Sequence, residues 1–263
     1  MTVPELLSGL PSTDELPCSD DTPVDNEDQN LLPNLLLFML ASLWAERMDW
    51  YFGVDMAVYH TTGDNPRIPV VPDAFLSVGV ERRKGGRSRR SYATWEESWV
   101  VPILVLEMVS HKPGGEYGPK QEIYRKLGVL YYVVYNPEFW RRDRHHPFEV
   151  YQLVNGQYQL VFHTSEADRP YWFAEIGLGL GLRQQSLGGI EQEILVWYDD
   201  QGNAYPTPDD VRAQLRQQQQ ELEAARQRTE EAEQRAEAER QRAEQLVQYL
   251  RSLGLDPDNL PNA

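Results

Sequence analysis

Apolar and polar positions along the 263-residue chain change period several times, and each change predicts an element. Residues 35–48, LLLFMLASLWAERM, are apolar on more than one face and predict a helix that packs into a core. Asn30 or Asn34 can cap it. Over residues 54–62, Val54, Met56 and Val58 alternate with period two, which predicts a strand, and Gly63, Asp64, Asn65 and Pro66 form a turn. Residues 68–80 give a second strand region, in which Pro72 implies an edge, a bulge or a kink. Two β-branched runs, 101–109 and 130–135, flank a Gly- and Pro-rich loop and a helix over 120–127 closed by Gly128, a strand–helix–strand unit. Residues 148–154 and 157–163 read as strands joined by Asn155-Gly156, a strong hairpin signal. Residues 178–182 and 194–198 are further short strands.

From Asp209 the pattern shifts to Gln, Glu, Arg and Ala, with no Gly or Pro before Gly254. Leu215, Leu222, Thr229, Ala236, Ala243 and Leu250 recur every seven residues, with Gln218, Ala225, Ala232, Glu239, Leu246 and Leu253 at the companion positions. This heptad seam predicts a long helix and a coiled coil joining two chains through residues 209–251, a homo-oligomer. The plainer alternative is a single charged helix.

Charge refines the picture. The formal net charge is −16, but eight acids and no bases fall in residues 1–34, and ten acids and eight bases in 209–251. With Asp256 and Asp258 also set aside, about −4 remains for residues 35–208. That region contains a basic cluster, Arg82, Arg83, Lys84, Arg87, Arg89 and Arg90, inside a connection over 81–99 that reads as mobile, and a smaller cluster at Arg141, Arg142 and Arg144. The overall acidity therefore leaves room for a phosphate-binding face, the other reading being a solvated loop. The single cysteine, Cys18, excludes a disulfide framework and a cysteine-rich zinc site. No apolar run reaches membrane-span length and no signal segment opens the chain, so a cytoplasmic protein is expected.

Glu107 interrupts the apolar run 101–109, and an unpaired buried charge is costly. It is either an edge-facing residue near the strand end or a group with work to do. Asp73 sits similarly in the preceding strand region, Lys120 opens the helix after Glu107, and Glu116 lies between them. Two carboxylates on neighbouring strands make a hard-oxygen site suited to Mg²⁺ or Mn²⁺. A lysine beside them can orient a water and stabilise charge developing on a phosphate. Such a triplet also arises by chance in acidic proteins. Tyr124, Tyr131 and Tyr132 read as core or interface, Ser110 as a strand end, and His145-His146 as loop; His60, His111 and His163 make no metal spacing.

The run Pro72-Asp73, Glu107-Met108-Val109-Ser110, Gly114-Gly115-Glu116, Lys120, Tyr124, Gly128-Val129 and Tyr131-Tyr132-Val133-Val134-Tyr135-Asn136-Pro137 resembles the Uma-two family of bacterial endonucleases, within the PD-(D/E)XK nuclease superfamily. The resemblance covers roughly residues 30–200, and the polar tail ending in Leu-Gly-Leu-Asp-Pro is also similar to many members. It implies an α/β, restriction-endonuclease-like mixed β-sheet core with flanking helices, followed by a long C-terminal helix. It also implies a magnesium-dependent endodeoxyribonuclease that cuts DNA phosphodiester bonds with an activated water. Asp73 and Glu107 would hold the metal with the backbone carbonyl after Glu107. Val109 stands where the superfamily has its strand lysine, so Lys120 becomes the catalytic candidate, Lys112 the second, and Glu116 a further acid. Asn136 replaces a common Asp that is read as structural.

The expected organisation is an acidic, mostly disordered segment over 1–30, the nuclease-like domain over 31–207, the long helix over 208–253 and a short tail over 254–263. The alternative function is a catalytically degenerate nuclease fold that binds nucleic acid or protein. A third reading makes the coiled-coil tail the working part.

Overall fold

The computed structural model describes residues 9–19, 26–112, 115–164 and 169–254. The chain divides into two units between Pro208 and Asp209. In the first, helix α1 (Glu27–Leu43) precedes strands β1 (Trp50–Val54), β2 (Val58–Tyr59), β3 (Ala74–Val78), β4 (Tyr92–Ala93) and β5 (Leu104–Met108). Helix α2 (Pro119–Leu127), β6 (Tyr131–Tyr135), the short α3 (Trp140–Asp143), β7 (Phe148–Val154) and β8 (Gln157–His163) follow, then β9 (Tyr171–Phe173), β10 (Leu178–Leu187) and β11 (Ile190–Tyr198). The second unit is carried by α4 (Pro208–Ser252).

The main sheet has six strands in the order β1-β3-β5-β6-β7-β8, mixed because β5 and β6 are parallel while the other pairs are antiparallel. A parallel pair needs a crossover, and α2 supplies it. Strands β9, β10 and β11 form a second antiparallel sheet, and β2 and β4 a short parallel pair. Alternation along the strands sends Phe52, Leu76, Leu106 and Val133 to one face, where they pack with α1 and β11. Tyr51, Phe75, Val105, Tyr132 and Val134 take the other, against Tyr124 and Leu127 of α2. Gly53 has a specific reason to be glycine: a Cβ there would meet the Phe75 ring at 2.3 Å.

The mixed sheet, its flanking helices and the long C-terminal helix agree with the expected fold class, and several boundaries are corrected. The strand expected over 54–62 splits, because Asp55 adopts φ 47° and ends β1. Helix α1 starts earlier than expected, at Glu27, and is capped by the Asn26 side chain, which accepts from the Gln29 N–H. Strands β10 and β11 run further than their apolar cores, meeting at a Gly188-Gly189 turn with φ 60° and 89°. The connection over 81–99, expected to be mobile, is instead pinned. Arg89 makes two 2.9 Å bonds to the Glu97 carboxylate, and Lys84 reaches Glu96 at 2.8 Å.

The expected disorder over 1–30 lies partly outside the described residues, at 1–8 and 20–25. Where described, the segment is packed. Leu16 is buried, Trp95 Nε1–H donates to the Pro11 carbonyl and Tyr59 O–H to that of Pro17. Residues 255–263 of the expected tail also lie outside. No described helix is long and apolar enough to cross a membrane.

Candidate active site

The site forms where β3 begins and β5 ends. Ala74 pairs with Leu106 in antiparallel register, so one residue further Asp73 lies opposite Glu107, both on the Phe75–Val105 face. The Asp73 carboxylate accepts a 2.6 Å bond from the Met108 N–H, which fixes it against the end of β5. Met108 also offers its carbonyl to the Gln29 side chain of α1 at 3.2 Å.

Lys120 and Tyr124 arrive from α2. Pro119 occupies the first turn, as its missing N–H allows, and Gly128 closes the helix at φ 87°. The spacing of four puts Lys120 and Tyr124 on one side of the helix. Lys120 Nζ lies 2.7 Å from Glu107 Oε2, and Tyr124 O–H donates to Oε1 at 2.5 Å. Glu107 is fully buried with both oxygens engaged. Lys120 also reaches toward the Val71 carbonyl, at 3.4 Å. Glu116 is buried nearby, its carbonyl held by Tyr132 O–H at 2.7 Å, and its charge acts on both Glu107 and Lys120.

Electrostatics set this cluster apart. Burial first, and then the Glu107 charge, holds the Asp73 carboxyl well above the usual range, although the Met108 N–H and Lys120 pull it down. Burial raises Glu107 as well, against Lys120 and Tyr124. Burial acts to lower Lys120, but Glu107, Asp73 and Glu116 outweigh it and hold the ammonium above its ordinary value. Asp73 and Glu107 face one ammonium, so the negative charge of the two carboxylates is not fully compensated by Lys120. Such a site gains by taking up a proton or a further cation.

The donor chemistry fits a hard divalent ion. The converging side chains of Asp73 and Glu107 offer oxygens, the donors such ions take, although among the described residues no group of three or more His, Cys, Asp or Glu is gathered closely enough to hold a metal by itself. Asp73, Glu107 and the Met108 carbonyl would hold such an ion, with water or substrate oxygens completing a shell of the kind Mg²⁺ keeps.

Of the residues singled out in the sequence, Asp73, Glu107 and Lys120 thus meet, with Glu116 close by. Lys112 does not: its side chain is exposed and its carbonyl accepts from Ser110 Oγ at 2.8 Å. Val109 is buried in apolar surroundings. Tyr124, read from the sequence as core or interface, is buried in the core and in addition donates its O–H to Glu107. Its spacing of four from Lys120 was the available signal.

Residues 21–183 match the sequence profile of the Uma2 family, described as "Putative restriction endonuclease". No curated protein matches the chain. Among solved structures, "a putative nuclease belonging to DUF820" from Anabaena variabilis is similar at 12% identity and a TM-score of 0.40, covering 65% of this chain and 89% of its own. With more than half of its length matched, the chain belongs to the Uma2 family, a family of the restriction-endonuclease type.

Proposed function

We propose that this protein is a divalent-metal-dependent endonuclease acting on DNA. The observation that carries the reading is the meeting of Asp73, Glu107 and Lys120 at one point of the sheet, with 2.7 Å between the ammonium and the Glu107 carboxylate. Membership of the Uma2 family supports nucleic acid as the substrate.

In this reading Asp73 and Glu107 hold Mg²⁺ or Mn²⁺. A bound ion of this kind polarises a phosphoryl oxygen and lowers the pKa of water. The chain supplies the rest. The Met108 N–H fixes Asp73, and Tyr124 fixes one oxygen of Glu107, so neither carboxylate must reorganise when substrate arrives. Lys120 places a full positive charge where negative charge grows on the phosphate, and its N–H groups can orient the attacking water. Glu116 adds a nearby acid that keeps Lys120 protonated. In α4, where no side chain is buried, the heptad seam joins two copies of the chain as a coiled coil.

The test is cleavage of supercoiled plasmid and of single-stranded DNA with Mg²⁺, with Mn²⁺ and with chelator. Nicking or linearisation that requires the metal and disappears in Asp73→Ala is the expected result. Binding without cleavage under every condition would instead favour the degenerate fold, a reading for which buried Val109 in the strand-lysine position speaks.

A further inference from the structure

A second constellation of charge lies away from the carboxylates. A recess of about 210 Å³ opens beside the outer edge of β1, lined by Tyr51 and Phe52 of the strand and by Arg82, Arg83, Arg87, Ser88 and Arg89. Its arginines differ in how they are matched. Arg89 is neutralised by Glu97 and stacks over the Tyr51 ring at 4.4 Å. The Arg82 guanidinium carbon sits over the Trp50 ring, 4.0 Å from its centroid, and Arg82 makes no ion pair among the described residues. Arg83 donates to Ser88 Oγ, and the Arg87 side chain has no partner among the described residues, its backbone N–H donating to the Lys84 carbonyl. Glu81 borders the adjoining hollow, but its carboxylate accepts from the Gly85 N–H.

The loop is therefore held by the Arg89–Glu97 pair and presents Arg82, Arg83 and Arg87 together, with the one Glu81 carboxylate beside them, a net positive charge. Burial, and then the charges of Arg89 and Arg83, also depress the Arg82 guanidinium, with the Tyr51 side chain acting in the opposite sense. Guanidinium groups whose N–H forks are not taken by a carboxylate suit phosphate oxygens. The volume falls below that of pockets that enclose whole small molecules, and so suits one phosphate of a larger molecule.

We propose that this arginine-lined recess binds a backbone phosphate of the DNA substrate, away from the bond that is cut. The inference rests on the nuclease reading and adds a contact to it. Tyr51, on the same face as the carboxylates, pairs with Ser77, and Phe52 pairs with Leu76, whereas Asp73 stands just before β3. The recess and the carboxylates are thus about three to four strand residues apart, roughly 10–14 Å. That is the rise of about three to four base pairs of duplex. A duplex engaged at both places is held in register along the β1–β3 edge, and the recess contributes position without reading sequence.

The experiment measures binding of a labelled 24-base-pair duplex by full-length protein in the Glu107→Gln background, over a salt series, so that no strand is cut. Arg83→Gln with Arg87→Gln is the main variant, since neither side chain supports the fold. Arg82→Gln is the second, and Arg216→Gln on α4 controls for net charge. Loss of a phosphate contact lowers the slope of log affinity against log salt by about 0.9. The double variant, which loses the one phosphate of the recess, should therefore bind more weakly and lose about 0.9 of slope, with the control unchanged. A duplex-binding parent whose recess variants keep its slope overturns this inference alone, as does an equal loss in the control. Variants that keep duplex binding but lose binding of a polyglutamate peptide assign the recess to an acidic protein segment and overturn it too. A parent that neither binds nor cuts DNA overturns the nuclease reading and this inference with it.

Discussion

Two buried glutamates lie in one cross-strand row of the sheet. Glu107 on β5 pairs with Val134 on β6, which pairs with Glu149 on β7, so the two carboxylates share a face about 10 Å apart. Both are buried and both accept hydrogen bonds. Glu149 takes them from the His146 N–H at 2.9 Å and Tyr151 O–H at 2.7 Å, with His145 Nδ1 at 3.2 Å. These three partners can all act as donors, and its charge is dispersed among them. Glu107 has an equally good pair of donors in Lys120 and Tyr124 but also faces a second carboxylate, Asp73. A buried, hydrogen-bonded carboxylate therefore does not mark a site. A carboxylate beside another that it repels does, because only a cation, a proton or a substrate relieves it.

The contrast breaks first at Glu107. Glu107→Gln keeps the shape and the Tyr124 contact but halves the negative charge of the facing pair. Metal-dependent cleavage should fall by about 10³-fold, the scale of removing one preorganised electrostatic contact, in an initial-rate plasmid assay. Cleavage within about threefold of the parent would show that Glu107 is no different in kind from Glu149.

Lys120 comes next. Lys120→Met removes the ammonium and keeps most of the stem, and the rate should drop about 10²-fold. Lys112→Met, on an exposed side chain, should cut at the parental rate. The reverse order would move the catalytic role to Lys112.

For Glu149 the expected effect is on stability. Glu149→Ala strands Tyr151 O–H and the His146 N–H in a buried setting, a loss of about 2–4 kcal/mol by urea unfolding. Cleavage per folded molecule should be unchanged. Normal stability with lost cleavage would place Glu149 in the working site.

The smallest effect concerns pH. Both Asp73 and Glu107 lie above their ordinary values in the folded chain, so the folded state holds protons more tightly than the unfolded one. Their contribution is most favourable in acid and is lost as pH rises from about 4 through the folded values. Asp73→Asn should keep the Met108 bond through its carbonyl and donate to Glu107 through its amide. Calorimetry at pH 8 should then show a gain of about 1 kcal/mol, a melting temperature higher by about 2–4 °C. A melting temperature at pH 8 below the parent's would mean that the pair is compensated after all.

How much of this was legible depended on range. The Asn155-Gly156 hairpin, the Gly128 cap, the β5–α2–β6 unit and the long terminal helix follow from local chemistry and were readable directly. Asp73, Glu107 and Lys120 could be named because carboxylates in apolar runs are conspicuous. Glu149, in the run Phe148-Glu149-Val150, carries the same signal and could not be told from Glu107, since the distinction lies in what faces each across the sheet. The connection over 81–99 looked mobile because its order comes from Arg89–Glu97 and from Thr13 donating to Glu96, contacts that composition does not reveal. The outer parts of β10 and β11 are polar, held by ladder bonds and a Gly-Gly turn and not by a buried face, so hydrophobic period could not find them.

Helix α1 and strand β11 are tied late. Trp197 Nε1–H donates to the Leu36 carbonyl across 161 residues, and the Leu32, Leu36 and Leu40 stripe shares its core with β11. Synthesis runs from the N-terminus, and domains close as units when their last element emerges. While the six-stranded sheet is being made, the apolar side of α1 therefore waits for its cover. The nascent chain stays sticky at its beginning until residue 198 is free.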